Sequence, residues 1–137
     1  MVPQKQEQLS CSLEYYKFSP VALKVFAFKV REKIGGQQDV FKLAKKYYDS
    51  IYYANLLERF QMAYANYFIE RTIETKWDFE IARTDLLFLL DASAEYVNSI
   101  ANGDARIIKL AGFTPINNEK NKKKAARIHK KLSTWKK

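Results

Sequence analysis

The chain has 137 residues, of which 47% are hydrophobic and 15% aromatic, with four Gly, three Pro, one Cys and a formal net charge of +9. That length and apolar content suit one folded domain with its own core and exclude a disordered chain. The few Gly and Pro argue against a β-sandwich or barrel, and the lone cysteine excludes an internal disulfide.

The charge is local. Residues 117–137 hold nine basic side chains and one acidic, residues 1–116 hold fifteen and fourteen, so the tail carries +8 and the body +1. Met1 to Gln8 is polar and has no signal-peptide segment behind it; Val21 to Val30 and Leu86 to Leu90 are too short or too charge-interrupted to cross a bilayer. The expectation is a soluble protein with no membrane span, in a virion or a bacterial cytoplasm.

Residues 1–18 read as an extended arm, in which Leu9, Cys11, Leu13 and Tyr15 alternate with polar residues. A lone strand needs a partner, so the arm either covers one end of the core or reaches a neighbouring subunit. Ser19-Pro20 starts the first helix, with Ser as N-cap and Pro at the first helical position. Its inner face is Leu23, Phe26, Ala27, Val30 and Ile34, with Lys24, Arg31 and Lys33 outward. Gly35-Gly36 is expected to end it through a left-handed residue.

From Asp39 to Asn102 there is no Gly or Pro, and apolar residues recur every three or four positions. This predicts two long antiparallel helices, the rival being one unbroken helix. Asp39 caps the first, whose stripe reads Val40, Leu43, Ala44, Tyr47, Ile51, Ala54, Leu57, Phe60 or Gln61, Tyr64 and Phe68. Tyrosines surround that stripe, and Tyr48, Tyr52, Tyr53 and Tyr67 are candidate interface residues; a wide, wet-edged core is the competing account. The turn falls within 71–76, where Thr72 and Thr75 can each cap and Thr75 with Asp78 resembles a capping box. The next helix carries Phe79, Ala82, Leu86, Leu89, Leu90, Ser93, Val97 and Ile100 inward, with Arg83, Asp85, Asp91 and Glu95 on the solvated side. Asn102, Gly103 and Asp104 form a structural turn, Ala105 to Ala111 a short helix packed by Ile107, Ile108 and Leu110, and Gly112 with Phe113 the closing turn. The fold class is all-α: a four-helix bundle on a long hairpin at 19–116, with an arm at 1–18 and a basic tail at 117–137.

The run from Glu95 to Phe113, with Tyr96-Val97, then Ala101-Asn102-Gly103-Asp104, an Ile-rich helix and Gly112-Phe113, resembles a signature of small uncharacterised bacterial helical-bundle domains. The resemblance covers roughly residues 10–116, with about twenty residues carrying its specific part. Members of that group are often followed by a fibronectin-III-like domain, where this chain has a basic tail. The resemblance implies a bundle and a scaffold role, with no known chemistry.

The residue inventory offers little catalysis. His129 is the single histidine, so His triads and multi-His metal sites are excluded by count. Cys11 has no nucleophile context, and Glu70 with Glu74, Glu74 with Asp78 and Asp91 with Glu95 lack the Glu-x-x-His repeats of a di-iron bundle. No Gly-rich phosphate loop is present. No enzyme activity, cofactor or metal is expected. In the tail, Ala125, Ile128 and Leu132, with Trp135 near that edge, line one side of a basic helix. Lys120, Lys122, Lys123, Lys124, Arg127, Lys130, Lys131, Trp135, Lys136 and Lys137 are the candidate contacts to nucleic acid or an acidic protein, against a solvated tail or a membrane-surface contact. The function expected is a structural component of a large assembly, a bacteriophage virion by preference. It would contact other protein subunits, including copies of itself, through arm, tyrosine faces and tail. The alternative is a small nucleic-acid-binding protein anchored by the tail.

Overall fold

A computed structural model describes residues 9–41 and 50–117, together with Lys123 and Ile128. Among the described residues the chain is mainly helical, with helices α1 (Pro20–Gly35), α2 (Ser50–Ile69), α3 (Ile73–Ala101) and α4 (Ala105–Leu110) and two short strands, β1 (Leu9–Cys11) and β2 (Pro115–Asn117). The helices meet the all-α expectation, and the short two-stranded ribbon is an addition to it. β1 pairs antiparallel with β2 in the register Leu9↔Asn117, Ser10↔Ile116 and Cys11↔Pro115, and Ser12 N–H extends the pairing to the Thr114 carbonyl. The alternation read at residues 9–15 thus belongs to a segment built into the body: Cys11 and Tyr15 are buried, and a 3-10 turn (Glu14–Lys17) links β1 toward α1.

Ser19 caps α1, its Oγ accepting from Ala22 N–H, and Pro20 opens the helix where no amide partner is needed. Leu23, Ala27, Val30 and Ile34 are fully buried and Phe26 half-buried, as their spacing predicts. The helix does not end through a left-handed residue. Gly36 keeps right-handed backbone (φ −86°), and a Cβ there would sit 2.9 Å from the Glu32 carbonyl oxygen. Gln37 completes the stop, its side-chain amide donating to the carbonyls of Lys33 and Leu110 and so tying α1 to α4.

Helices α2 and α3 are the most extensively packed pair and run antiparallel. Phe60, Tyr64 and Tyr67 surround Phe79 with ring centroids 5.5–5.7 Å apart, while Arg59, one residue before Phe60, meets Asp85, six after Phe79. The connection is tighter than expected, and of the two threonines able to cap, the first does so. Thr72 is the N-cap of α3 and exchanges a capping box with Thr75, so Thr75 is the third helical residue and not the cap. In α2 the buried line is Tyr53, Leu56, Leu57, Phe60 and Ala63, whereas Ile51 and Phe68 are 74% and 65% exposed. The core phase is therefore rotated from the one that Ile51 and Phe68 would set. Leu43, Ala44 and Tyr47 lie outside the described residues; Phe41, which the stripe omits, is fully buried against Tyr96.

In α3, Phe79, Ala82, Leu86, Leu90, Ser93 and Val97 are buried as read, and Leu87, Ala94 and Ala101 widen the buried face at seven-residue intervals. Asn102 (φ 47°) and Gly103 (φ 89°) turn the chain, and Asp104 caps α4 by accepting from Arg106 N–H. Ile108 is buried and Ile107 half-buried, but Leu110 is exposed at 39%. Gly112 takes φ 92°, which admits Phe113 to an aromatic cluster with Tyr15 and Phe26.

Candidate interaction surfaces

Among the described residues, the Cys11 thiol, the Tyr15 and Tyr16 phenols and the Asp91 carboxylate all hold the fold together. The Cys11 thiol is 1% exposed, and burial pushes its pKa up to about 12, so it stays protonated and unreactive near neutral pH. Asp91 accepts from the hydroxyls of both Tyr15 and Tyr16, one on each carboxylate oxygen. Burial and the adjacent carboxylate raise both phenol pKa values well above the ordinary tyrosine range. Arg83, its pKa lowered by burial, donates to the carbonyls of Tyr16 and Phe18, and Asn98 Oδ1 accepts from Cys11 N–H at 2.8 Å. Arg83, Asp91 and Asn98 thus form a polar ladder on one flank of α3 that seats residues 11–18. This corrects the assignment of Arg83 and Asp91 to a solvated face: each is half-buried and holds a backbone or phenol partner.

Glu70, Glu74 and Asp78 are exposed, and among the described residues no group of three or more His, Cys, Asp or Glu could hold a metal ion. Asp104 has its pKa lowered by hydrogen bonds from Arg106, and serves as the cap of α4. A groove of about 370 Å³ beside α2, lined mostly by polar residues (Asn55, Glu58, Arg59, Asn66 and Asp78, with Met62 and Ala63), is open to solvent. It lacks the apolar enclosure of a small-molecule site. No helix of the described residues is long and apolar enough to cross a membrane.

The candidate tyrosines separate. Tyr53 is no surface residue: it is fully buried and its hydroxyl donates to the Ala27 carbonyl, which joins α2 to α1. Tyr67 is half-buried, stacked on Phe79 with the Arg71 guanidinium 5.4 Å from its ring centre. Tyr52 is 55% exposed, and Tyr48 lies outside the described residues. Of the tail contacts, Lys123 is helical and exposed, while Lys120, Lys122, Lys124, Arg127, Lys130, Lys131, Trp135, Lys136 and Lys137 lie outside the described residues. Ile128 is helical and half-buried.

The surface signal missed in the sequence is a second apolar stripe on α3. Ile73, Trp77, Ile81 and Phe88 are 67%, 62%, 48% and 49% exposed. At 100° per residue they gather within one quadrant, directly opposite Phe79, Leu86, Leu90 and Val97. At roughly 200 Å² per large apolar side chain they expose on the order of 450 Å², within the range of the largest patch on a typical monomer. The same geometry recurs on α1, where Val21, Val25 and Phe28 are 60%, 61% and 50% exposed, opposite Leu23, Ala27, Val30 and Ile34.

The two stripes lie in opposite charge fields. Helix α1 carries four basic residues and one acidic, and exposed Lys24 and Lys29 border its stripe on either side. Helix α3 carries six acidic residues and two basic, with Glu74 and Asp78 along one border of its stripe and Glu80 along the other. The near-neutral body noted in the sequence thus includes one helix with a basic excess and one with an acidic excess. No protein-family model, curated protein or solved structure matches the chain.

Proposed function

We propose that this protein is a non-enzymatic structural component of a larger assembly, a helical bundle built on the α2–α3 hairpin that meets neighbouring subunits through exposed apolar helix faces. The observation that carries the reading is the outer stripe of α3, Ile73, Trp77, Ile81 and Phe88, which leaves four large apolar side chains about half or more exposed. Exposed apolar stripes with charged rims are the usual anatomy of protein contact sites. The side chains suited to chemistry, Cys11, Tyr15, Tyr16 and Asp91, are committed to burial and to one another. The setting we propose is a bacteriophage particle, which suits a small chain rich in tyrosine and lysine.

A second reading is favoured by the +8 charge of residues 117–137, which suits an electrostatic anchor on a nucleic-acid backbone. Light scattering at low and moderate salt, with and without a short DNA duplex, separates the two. A salt-resistant oligomer indifferent to DNA supports the assembly component. A protomer that takes up DNA only at low salt overturns it in favour of the anchor.

A further inference from the structure

We propose that copies of this chain join head to tail, the outer face of α1 in one copy seating on the outer face of α3 in the next. The inference rests on the assembly reading and names the partner. Both faces are apolar stripes turned away from the core, so neither is needed for folding and both are available at once. Their rims are complementary in the main: Lys24 and Lys29 flank the α1 stripe and Glu74, Asp78 and Glu80 the α3 stripe, with Glu32 at the end of the first and Lys76 beside the second as single opposite charges. Pairing α3 with α3 would bring two acidic rims together, and pairing α1 with α1 two basic ones, so each face discriminates against itself.

The area is sufficient. The α1 stripe adds on the order of 300 Å² of exposed apolar surface to the roughly 450 Å² of α3, and the charged borders bring the buried total above the ~1,000 Å² of a specific interface. Because the two faces are different patches, the contact is heterologous. The growing assembly keeps one free face of each kind at its ends, and repetition yields a ring if the rotation closes or a filament if it does not.

The test uses the full chain in three forms: wild type, Phe28→Glu and Trp77→Lys. Both substituted positions are at least half exposed, and the helices are expected to persist, which circular dichroism checks. Sedimentation over a concentration series is expected to show wild type growing beyond the protomer and each variant alone assembling only at roughly tenfold or higher concentration. An equimolar mixture of the two variants is expected to give twice the protomer mass and stop there, because one live α1 face meets one live α3 face. Assembly of both single variants as in wild type overturns this pairing and leaves the assembly reading standing. Loss of assembly in Trp77→Lys alone also overturns it, since the α3 face would then be taken by another segment, such as the Lys-rich tail. A wild-type chain at protomer mass throughout overturns both this pairing and self-assembly.

Discussion

Replacing Asp91 with Ala removes the acceptor shared by two phenols, and the structure sets the size of the effect. Tyr15 is fully buried, so its hydroxyl, which donates to Asp91 at 2.5 Å, would be left unpaired away from water. A buried donor without a partner costs about 1–3 kcal/mol. Tyr16 is half-buried and recovers water, so its loss adds about 0.5–1 kcal/mol. The sum, about 3 kcal/mol, is a large share of a small domain's stability. With a urea slope of about 1.5 kcal/mol per molar, the midpoint should fall by ~2 M. Asp85→Ala is the control, since it removes a 3.0 Å ion pair with Arg59 whose partners are 53% and 38% exposed. Such a pair contributes about 0.5 kcal/mol. Tyr15→Phe should cost less in the Asp91→Ala background than in wild type. If Asp91→Ala is no more destabilising than Asp85→Ala, the ladder on α3 is surface decoration and the reasoning fails.

Stability should fall with alkali. The Cys11 thiol is raised to about 12 in the folded chain, from 9.0, and the Tyr15 phenol is raised from 10.0, so above pH 9 and then above pH 10 the unfolded chain sheds protons that the folded chain keeps. Each group then lowers stability by up to ~1.4 kcal/mol per pH unit, while below pH 9 neither contributes a slope. Urea midpoints from pH 7 to 11 read this, and Cys11→Ala with Tyr15→Phe should flatten the alkaline limb. Leu90→Ala should cost about 2–5 kcal/mol, because Leu90 is fully buried, whereas Phe88→Ala, two residues away on the outer face, should cost under ~1 kcal/mol; thermal denaturation compares them. Gly112→Ala should cost about 1–2 kcal/mol through its φ of 92°, with the Lys33 side chain 3.3 Å from the added Cβ shifting aside; equal stability would mean the turn relaxes.

The helices and most of their buried lines were legible because a helix in a one-layer core must repeat its apolar face every three or four residues. Ser19-Pro20, the Leu86–Leu90–Ser93–Val97 line and the Asn102-Gly103-Asp104 turn are local signals, and the local chemistry decides them. Misreadings arose where a helix is apolar on more than one side. In α2, Ile51 and Phe68 are as apolar as Tyr53 and Phe60, so composition alone does not fix which side faces inward. In α3 the outer stripe was present at the same spacing as the inner one, at positions 73, 77, 81 and 88, but residues off a well-formed stripe pass for solvated surface. Applying the spacing rule a second time to the leftover residues would have found it. Arg83 and Asp91 were misplaced for a related reason: nothing local reveals that a segment some seventy residues earlier covers them. The β1–β2 pairing is likewise invisible locally, since residue 9 must meet residue 117.

That pairing also decides how the molecule would answer tension. Leu9 lies opposite Asn117, so the chain enters and leaves the ribbon at the same end. A pull applied between the segments flanking Leu9 and Asn117 runs along the ladder's hydrogen bonds, across the strands and not in line with them, and loads the bonds one at a time. Such a ribbon peels at low force, as a zip does, while the ladder of Arg83, Asp91 and Asn98 still holds the next stretch to α3. Under such a pull the protein would lengthen at this seam first, yielding a short reach of slack before its helices bear any load.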